Sequence, residues 1–302
     1  MKYRDKFYVF QRLFLKLKIA FILTCLCAGV LFSRCTGEKW YSVNVDAYSM
    51  ENSLIRITYG SPPEGYWGNG IIEFLYKPTN ENFGYTLDTY GCGYAMYDRT
   101  GPASYELLNE NSDMVEVRIT FTDSVDVVKR ERIYRNLPIL EIEYEKLSIW
   151  WWEDFFDNPD DSVVVSVYGI PQDITKGLHT EYKKTAEEKC GHNFGDCFIN
   201  AADSDSAKCT YKEHFIFGVH STRTGRGIGE VLPVKIGLHD GWKLWWSDRN
   251  IPNYESFPVK ELPIKRWIFI YKGGRQGLMK MGKAIVDEKD SISDIDLNSP
   301  VF

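Results

Sequence analysis

Residues 114–122 alternate without a break: Val115, Val117, Ile119 and Phe121 fall on one side, and Glu116, Arg118 and Thr120 on the other. A period of two belongs to a strand with one face buried and one face wet, and no helix gathers those four apolar residues on one stripe. The same period returns along the chain. Residues 53–59 alternate until Ser61-Pro62-Pro63-Glu64-Gly65 breaks the run, and residues 71–76 continue to the stop at Pro78. Residues 162–168 form a nearly continuous valine-rich run that reads as a buried strand, and 214–220, 231–237, 242–246 and 266–271 read as later strands. At least ten strand candidates stand against one helical pattern, the amphipathic run 276–286. The chain therefore reads as all-β, a large antiparallel β-sandwich with one late C-terminal helix.

Two of these runs also predict a register. Residues 125–135 and 139–149 flank Asn136-Leu137-Pro138. Paired as a hairpin with Asn136-Leu137 at its tip, they set Arg132 opposite Glu141 and Arg130 opposite Glu143. Opposite charges directly across a ladder contribute about 0.2–1 kcal/mol each.

Charge divides the chain unevenly. Residues 1–35 hold seven basic groups and one acid, which leaves 29 basic and 41 acidic residues for 36–302. An acidic body lacks the basic footprint that nucleic acid or an anionic membrane surface needs, so no nucleic-acid partner is expected. At the N-terminus, basic residues up to Lys18 precede the apolar run 19–32, interrupted only by Thr24. Fourteen helical residues reach about 21 Å, short of the roughly 30 Å hydrocarbon core. Residues 1–35 thus read as an export signal, with an uncleaved anchor as the alternative, and any membrane contact is expected only there. Cys35 follows in Leu31-Phe32-Ser33-Arg34-Cys35, which loosely resembles a lipobox, although Arg34 is not the small residue such motifs place before the cysteine. The expected location is periplasmic, cell-surface or secreted, with a lipid anchor as one form of it.

Residues 36–302 carry no Gly/Ser linker and read as a single domain. The polar stretch at about 175–210 is too long for an ordinary loop and holds Cys190, Cys197 and Cys209. With Cys92 these make four body cysteines, which in an exported chain favours disulfides over free thiols. Cys190, Cys197, Cys209 and His192 could imitate zinc ligands, but the spacings lack the close cysteine pair of structural zinc. No His-x-His, His-Glu-x-x-His or Gly-x-Ser-x-Gly pattern occurs, and neither a metal nor a cofactor is expected.

A family resemblance emerges from the order of these pieces. The opening 53–59 strand, the glycine-rich turn with Gly65, Gly68 and Gly70, the strand ending Tyr76-Lys77-Pro78, and Arg130-x-Arg132-x-Tyr134-x-x-x-Pro138 before an acidic alternating strand together resemble the galactose mutarotase-like β-supersandwich. The resemblance spans residues 41–290. It implies a carbohydrate partner and, for an enzyme, an aldose epimerase or polysaccharide lyase. The family's histidines and late glutamate have no residue-by-residue match here, so no catalytic role is carried over.

Candidate ligand residues come from the chain itself. In His239-Asp240-Gly241-Trp242-Lys243-Leu244-Trp245-Trp246, a strand puts Trp242 and Trp246 on one face, where indole rings can stack on the C–H faces of sugars. Asp240, Arg226 and Arg249 are the polar candidates that would fix a sugar's hydroxyls or an anionic group. Packing of the tryptophans at a core or edge is the competing reading. Trp150-Trp151-Trp152-Glu153-Asp154 cannot all enter one core, since strand neighbours alternate. For proton transfer the candidates are His220, His239 and Glu255. His214 and His220 have even spacing and share a strand face, whereas His179 and His192 lie in the polar stretch. Gly225-Arg226-Gly227-Ile228-Gly229-Glu230 lacks the context of a phosphate-binding loop and reads as a hairpin turn. The sequence thus leads to an exported carbohydrate-binding or carbohydrate-processing protein, against a non-catalytic surface carbohydrate-binding module or a structural envelope protein.

Overall fold

The computed structural model describes residues 39–60, 70–91, 103–122, 126–148, 151–156, 163–168, 199–200, 210–233, 243–246, 252–256 and 262–297. Among these are β1 (Ser42–Asn44), β2 (Ser49–Glu51), β3 (Ile55–Gly60), β4 (Gly70–Tyr76), β5 (Glu81–Asn82), β6 (Gly84–Gly91), β7 (Ser104–Glu110), β8 (Met114–Phe121), β9 (Asp126–Tyr134) and β10 (Ile139–Ser148). Then come β11 (Trp151–Phe156), β12 (Val163–Val167), β13 (Ile199–Asn200), β14 (Thr210–Tyr211), β15 (His214–Ser221), β16 (Gly227–Pro233), β17 (Lys243–Trp246), β18 (Pro252–Ser256) and β19 (Ile264–Tyr271). The helix α1 (Gly274–Asp287) follows, with a short 3-10 turn at Ile292–Asp294. One sheet runs β1-β2-β3-β4-β6-β11-β18-β17-β13 with β5 beside β4, and the other runs β12-β15-β16-β19-β10-β9-β8-β7 with β14 beside β15. Tyr41–Phe302 form one unit. The chain is an all-β sandwich of two large antiparallel sheets with a single late helix among the described residues.

The alternation that opened the sequence reading governs the packing. Val115, Val117 and Ile119 of β8 are fully buried and Phe121 is 1% exposed, while Arg118 faces solvent. The predicted hairpin register holds: Arg132 pairs with Glu141 and Arg130 with Glu143. Its turn carries Asn136 at φ 61°, a left-handed value that asparagine tolerates better than most residues. Asn52 ties the sheets at this end. Its Nδ2 donates to the carbonyls of Tyr134 and Leu137 at 2.7 and 2.9 Å, and its Oδ1 accepts from Leu54 and Ile55 amides.

On β15 both faces are buried, as a strand between two layers requires. Ile216 joins Val231, Trp267, Phe269 and Tyr271 in a cluster with Leu278, Met281, Ile285 and Val286 of α1. The helix therefore roofs the outer face of β15, β16 and β19. Here the structure differs from the turn expected at 225–230. The turn is over by Gly227, where β16 begins, and of the expected run 231–237 the stretch after Pro233 lies outside the described residues. Crowding explains the glycines. A Cβ on Gly227 would lie 2.0 Å from the Val219 carbonyl, and one on Gly229 would lie 2.7 Å from Leu278 Cδ1. Gly227 leaves room for the neighbouring strand β15 and Gly229 for the helix, both from within a strand, so composition alone mimics a turn. The valine-rich run forms β12, an edge strand beside β15. Cys25, Cys27, Cys35, Cys92, Cys190, Cys197 and Cys209 lie outside the described residues, as do residues 1–35 and the histidines His179 and His192.

Candidate functional site

β11, β18 and β17 are adjacent in the ten-stranded sheet, and Glu255 lies on the middle one. β18 lies between β11 and β17, with Glu255 paired to Glu153 on one side and to Lys243 on the other. Trp246 pairs with Pro252, three rungs from Glu255 and so at the opposite parity of the pleat. Trp245, paired with Asn253, has the parity of Glu255. His239, Asp240, Trp242 and Arg249 lie outside the described residues.

His220 is in the other sheet, on β15. Its ring is 6% exposed, and Nδ1 lies 3.1 Å from the Tyr271 hydroxyl. Burial, helped by the Arg275 charge, pulls its pKa down to about 4, so the ring is neutral at physiological pH. His214 shares its face as expected, packing against Trp267 at 6.1 Å between ring centres, with Nδ1 2.7 Å from the Lys212 carbonyl. That face lies under α1. Arg226 uses Nε and Nη2 in a two-pronged contact with Glu81, at 2.7 and 2.9 Å, linking β16's leading turn to β5. It borders a pocket of about 200 Å³ with Tyr76, Tyr271, Lys272 and Lys280.

Between the sheets lies a charged cluster that the sequence reading did not isolate. Asp88 of β6 accepts from Lys129, from the Tyr144 hydroxyl and, at 2.5 Å, from Arg266 Nη2. Arg266 Nη1 donates to Glu230 at 2.7 Å, and Lys129 lies 2.8 Å from Glu131. The Tyr59 hydroxyl accepts from Lys129 and donates to Glu131. Asp88, Lys129, Glu131, Glu230, Arg266 and Tyr144 are all 0% exposed. Burial would raise the Asp88 pKa, but the Lys129 and Arg266 charges outweigh it and hold it near about 2. Burial wins at Glu131 and pushes it up. A signal was present. Val127 and Ile133 fix the inward parity of β9, which places Lys129 and Glu131 inward too.

A second polar array covers the outer face of β8, β9 and β10. Arg132 bridges Glu116, Glu141 at 2.5 Å and Glu143 at 2.8 Å. Glu141 also accepts from the Tyr134 hydroxyl at 2.6 Å and the Trp267 indole N–H at 3.1 Å, and Lys265 Nζ lies 3.2 Å away. Burial alone would raise the Glu141 pKa, but Tyr134, Lys265 and Arg132 bring it below the usual range. Arg132, Tyr134, Glu141 and Lys265 border a polar cavity of about 310 Å³. Among the described residues no group of three or more His, Cys, Asp or Glu side chains is placed to hold a metal ion.

No known family profile matches the sequence, and no curated protein is significantly similar to it. Among solved structures, the chain is similar to a galactose mutarotase related enzyme from Lactobacillus acidophilus, at 9% identity and a TM-score of 0.41 over 75% of this chain and 98% of that one. It is also similar to an α-N-acetylgalactosaminidase from Bifidobacterium bifidum, at 9% identity and a TM-score of 0.46 over 80% of this chain and 38% of that one. A third is an α-galactosidase from Geobacillus stearothermophilus, at 6% identity and a TM-score of 0.40 over 77% of this chain and 42% of that one. The chain thus spans about two fifths of the length of either glycosidase.

Proposed function

We propose that the protein is exported and binds or processes carbohydrate at strands β11, β18 and β17. The observation that carries this reading is the shared rung of Glu153, Glu255 and Lys243, flanked by strands that bear Trp151, Trp152, Trp245 and Trp246. Carboxylates hydrogen-bond sugar hydroxyls and can take the proton of an anomeric hydroxyl as the ring opens, or the C–H proton beside a uronate carboxyl, while indoles stack on sugar C–H faces. Opposite parity separates two versions of the site. An epimerase or lyase would use Glu255 as proton carrier with the rung of Lys243 and Glu153. A non-catalytic binding module would use Trp246 and Trp242, with Asp240 or Arg249 fixing orientation.

Two measurements on the full chain decide between them. Polarimetry follows the interconversion of freshly dissolved α-D-galactose, and calorimetry follows binding of galacto-oligosaccharides. For the catalytic version, Glu255→Gln abolishes acceleration of mutarotation. For the binding module, no acceleration is seen and Trp246→Ala weakens binding about tenfold or more. Absence of both acceleration and binding overturns the reading. Recovery of the native chain from the cytoplasm with Met1 intact overturns its export.

A further inference from the structure

The polar cavity on the outer face of the nine-stranded sheet is unlike an ordinary ion-paired sheet surface. Its floor is buried: Glu141 is 2% exposed and Tyr134 7% exposed. Both oxygens of Glu141 are committed, Oε1 to Arg132 and Lys265 and Oε2 to Tyr134 and Trp267. Every floor group is therefore held by another, which removes the ordering cost a ligand would otherwise impose. The rim is the opposite. Lys289, Asp290 and Ser293 are exposed and make no hydrogen bond or ion pair among the described residues.

The charges around the cavity balance. Arg132, Lys265 and Lys289 are matched by Glu141, Asp113 and Asp290. A net anion or cation entering it meets a like charge on some wall. A hydroxyl group does not, because it donates to a carboxylate and accepts from an ammonium or guanidinium. Met114 and Ile292 add apolar wall for C–H groups. At about 310 Å³ the space is at the small end of ligand sites. We infer that this cavity, formed by β8, β9, β10, the start of β19 and the segment after α1, binds a small neutral polyhydroxylated molecule. The site is separate from β11, β18 and β17, which belong to the other sheet.

The Trp267 indole N–H, bonded to Glu141 behind the floor, is a built-in reporter. Nuclear magnetic resonance of the full chain follows its signal during titration with D-galactose, sorbitol, D-glucuronate and D-glucosamine. The two neutral compounds are the arms for a cyclic sugar and an acyclic polyol. At least one of them should shift the Trp267 signal saturably, and the two charged sugars should need about tenfold higher concentration or more. Ser293→Trp, on an exposed turn, should fill the mouth and weaken the response about tenfold or more, and Lys289→Ala provides a second rim variant should the first misfold. Glu255→Gln should leave the Trp267 response in place. The inference is overturned if no neutral compound moves Trp267, if a charged analogue binds more tightly, or if a folded rim variant binds unchanged. Galactose binding that leaves Trp267 silent and disappears in Trp246→Ala or Glu255→Gln would support the β17–β18 site and sink this one.

Discussion

Replacing Asp88 by asparagine removes one charge from the centre of the sandwich and little else. The backbone at Asp88 has φ 58°, a left-handed value that asparagine accepts, so the substitution does not add strain. What it removes is the negative charge that faces Lys129, Arg266 and the Tyr144 hydroxyl, all fully buried. Breaking a buried pair from one side costs about 3–5 kcal/mol, because water cannot reach the surviving charges to replace the carboxylate they lose. With a urea m-value of about 3 kcal/mol per molar, the unfolding midpoint should fall by roughly 1–1.7 M. The penalty should also depend on pH. Burial, with the nearby Asp88 charge, raises the Glu131 pKa, and Glu131 Oε2 accepts no hydrogen bond among the described residues. Below its raised pKa Glu131 holds its proton, leaving Lys129 and Arg266 against Asp88 and Glu230, and Asp88→Asn then leaves a net positive core. Loss of the neighbouring Asp88 charge makes Glu131 easier to ionise in the variant, where it takes over part of the missing charge as pH rises. The destabilisation should therefore shrink as pH rises through the Glu131 titration, and adding Glu131→Gln should remove that dependence. A penalty under about 1 kcal/mol across the pH range, or one that grows with pH, would refute the role assigned to the cluster.

Gly282→Ala tests the helix roof. In an open helix this change stabilises by about 1 kcal/mol, but here the new Cβ would lie 2.3 Å from Ile216 Cγ2, so the sign reverses to a cost of about 1–3 kcal/mol, readable as a lowered Tm and recovered by adding Ile216→Ala. His220 gives an acid limb to stability. Its folded pKa of about 4 lies below the roughly 6.5 of an unfolded histidine, so the unfolded chain binds the extra proton in that window. The stabilisation is complete above pH 6.5 and is lost as pH falls towards 4, by about 2–3 kcal/mol, and His220→Asn should flatten that limb in Tm measured against pH.

Local periodicity carried the strands whose partners are close in sequence. In the β9–β10 hairpin, the ion pairs and the turn residue Asn136 both act within a few residues, so even the register was legible. The late helix was equally visible, because Leu278, Met281, Ile285 and Val286 recur at helical spacing and are the residues it buries. Pairings across long loops leave no such trace. Glu153 meets Glu255 only because β11 and β18 are neighbours in the sheet, and nothing local to either strand encodes that. Asp88 escaped for another reason. Leu87 and Asp88 are consecutive and both buried, where a regular strand would put one of them outside, and β6 shifts register against β11 at this point. An irregularity of this kind defeats a period-two reading and is where the cluster's shared acceptor sits.

The outer face of the nine-stranded sheet shows where stability ends as an explanation. On β15, β16 and β19 that face is apolar and α1 covers it, which accounts for Ile216, Val231, Phe269 and Tyr271. On β8, β9 and β10 the same face carries Glu116, Arg118, Arg130, Arg132, Glu141, Glu143 and Glu145. At the outer end of this ladder, pairs such as Arg118–Glu145, with side chains 45% and 28% exposed, contribute about 0–1 kcal/mol and serve solubility. Near the helix the pairs are different in kind. Arg132 and Glu141 have side chains only 12% and 3% exposed, where ion pairs generally gain nothing over well-packed apolar residues of similar size. An extension of the apolar face under the segment after α1 would have been the more economical way to close the sheet. Instead Trp267 and Tyr134 turn their single polar atoms toward Glu141, and the boundary between the two halves opens into a cavity. Oriented, desolvated charge beside open space is what recognition of a polar ligand requires, and closing the sheet does not require it.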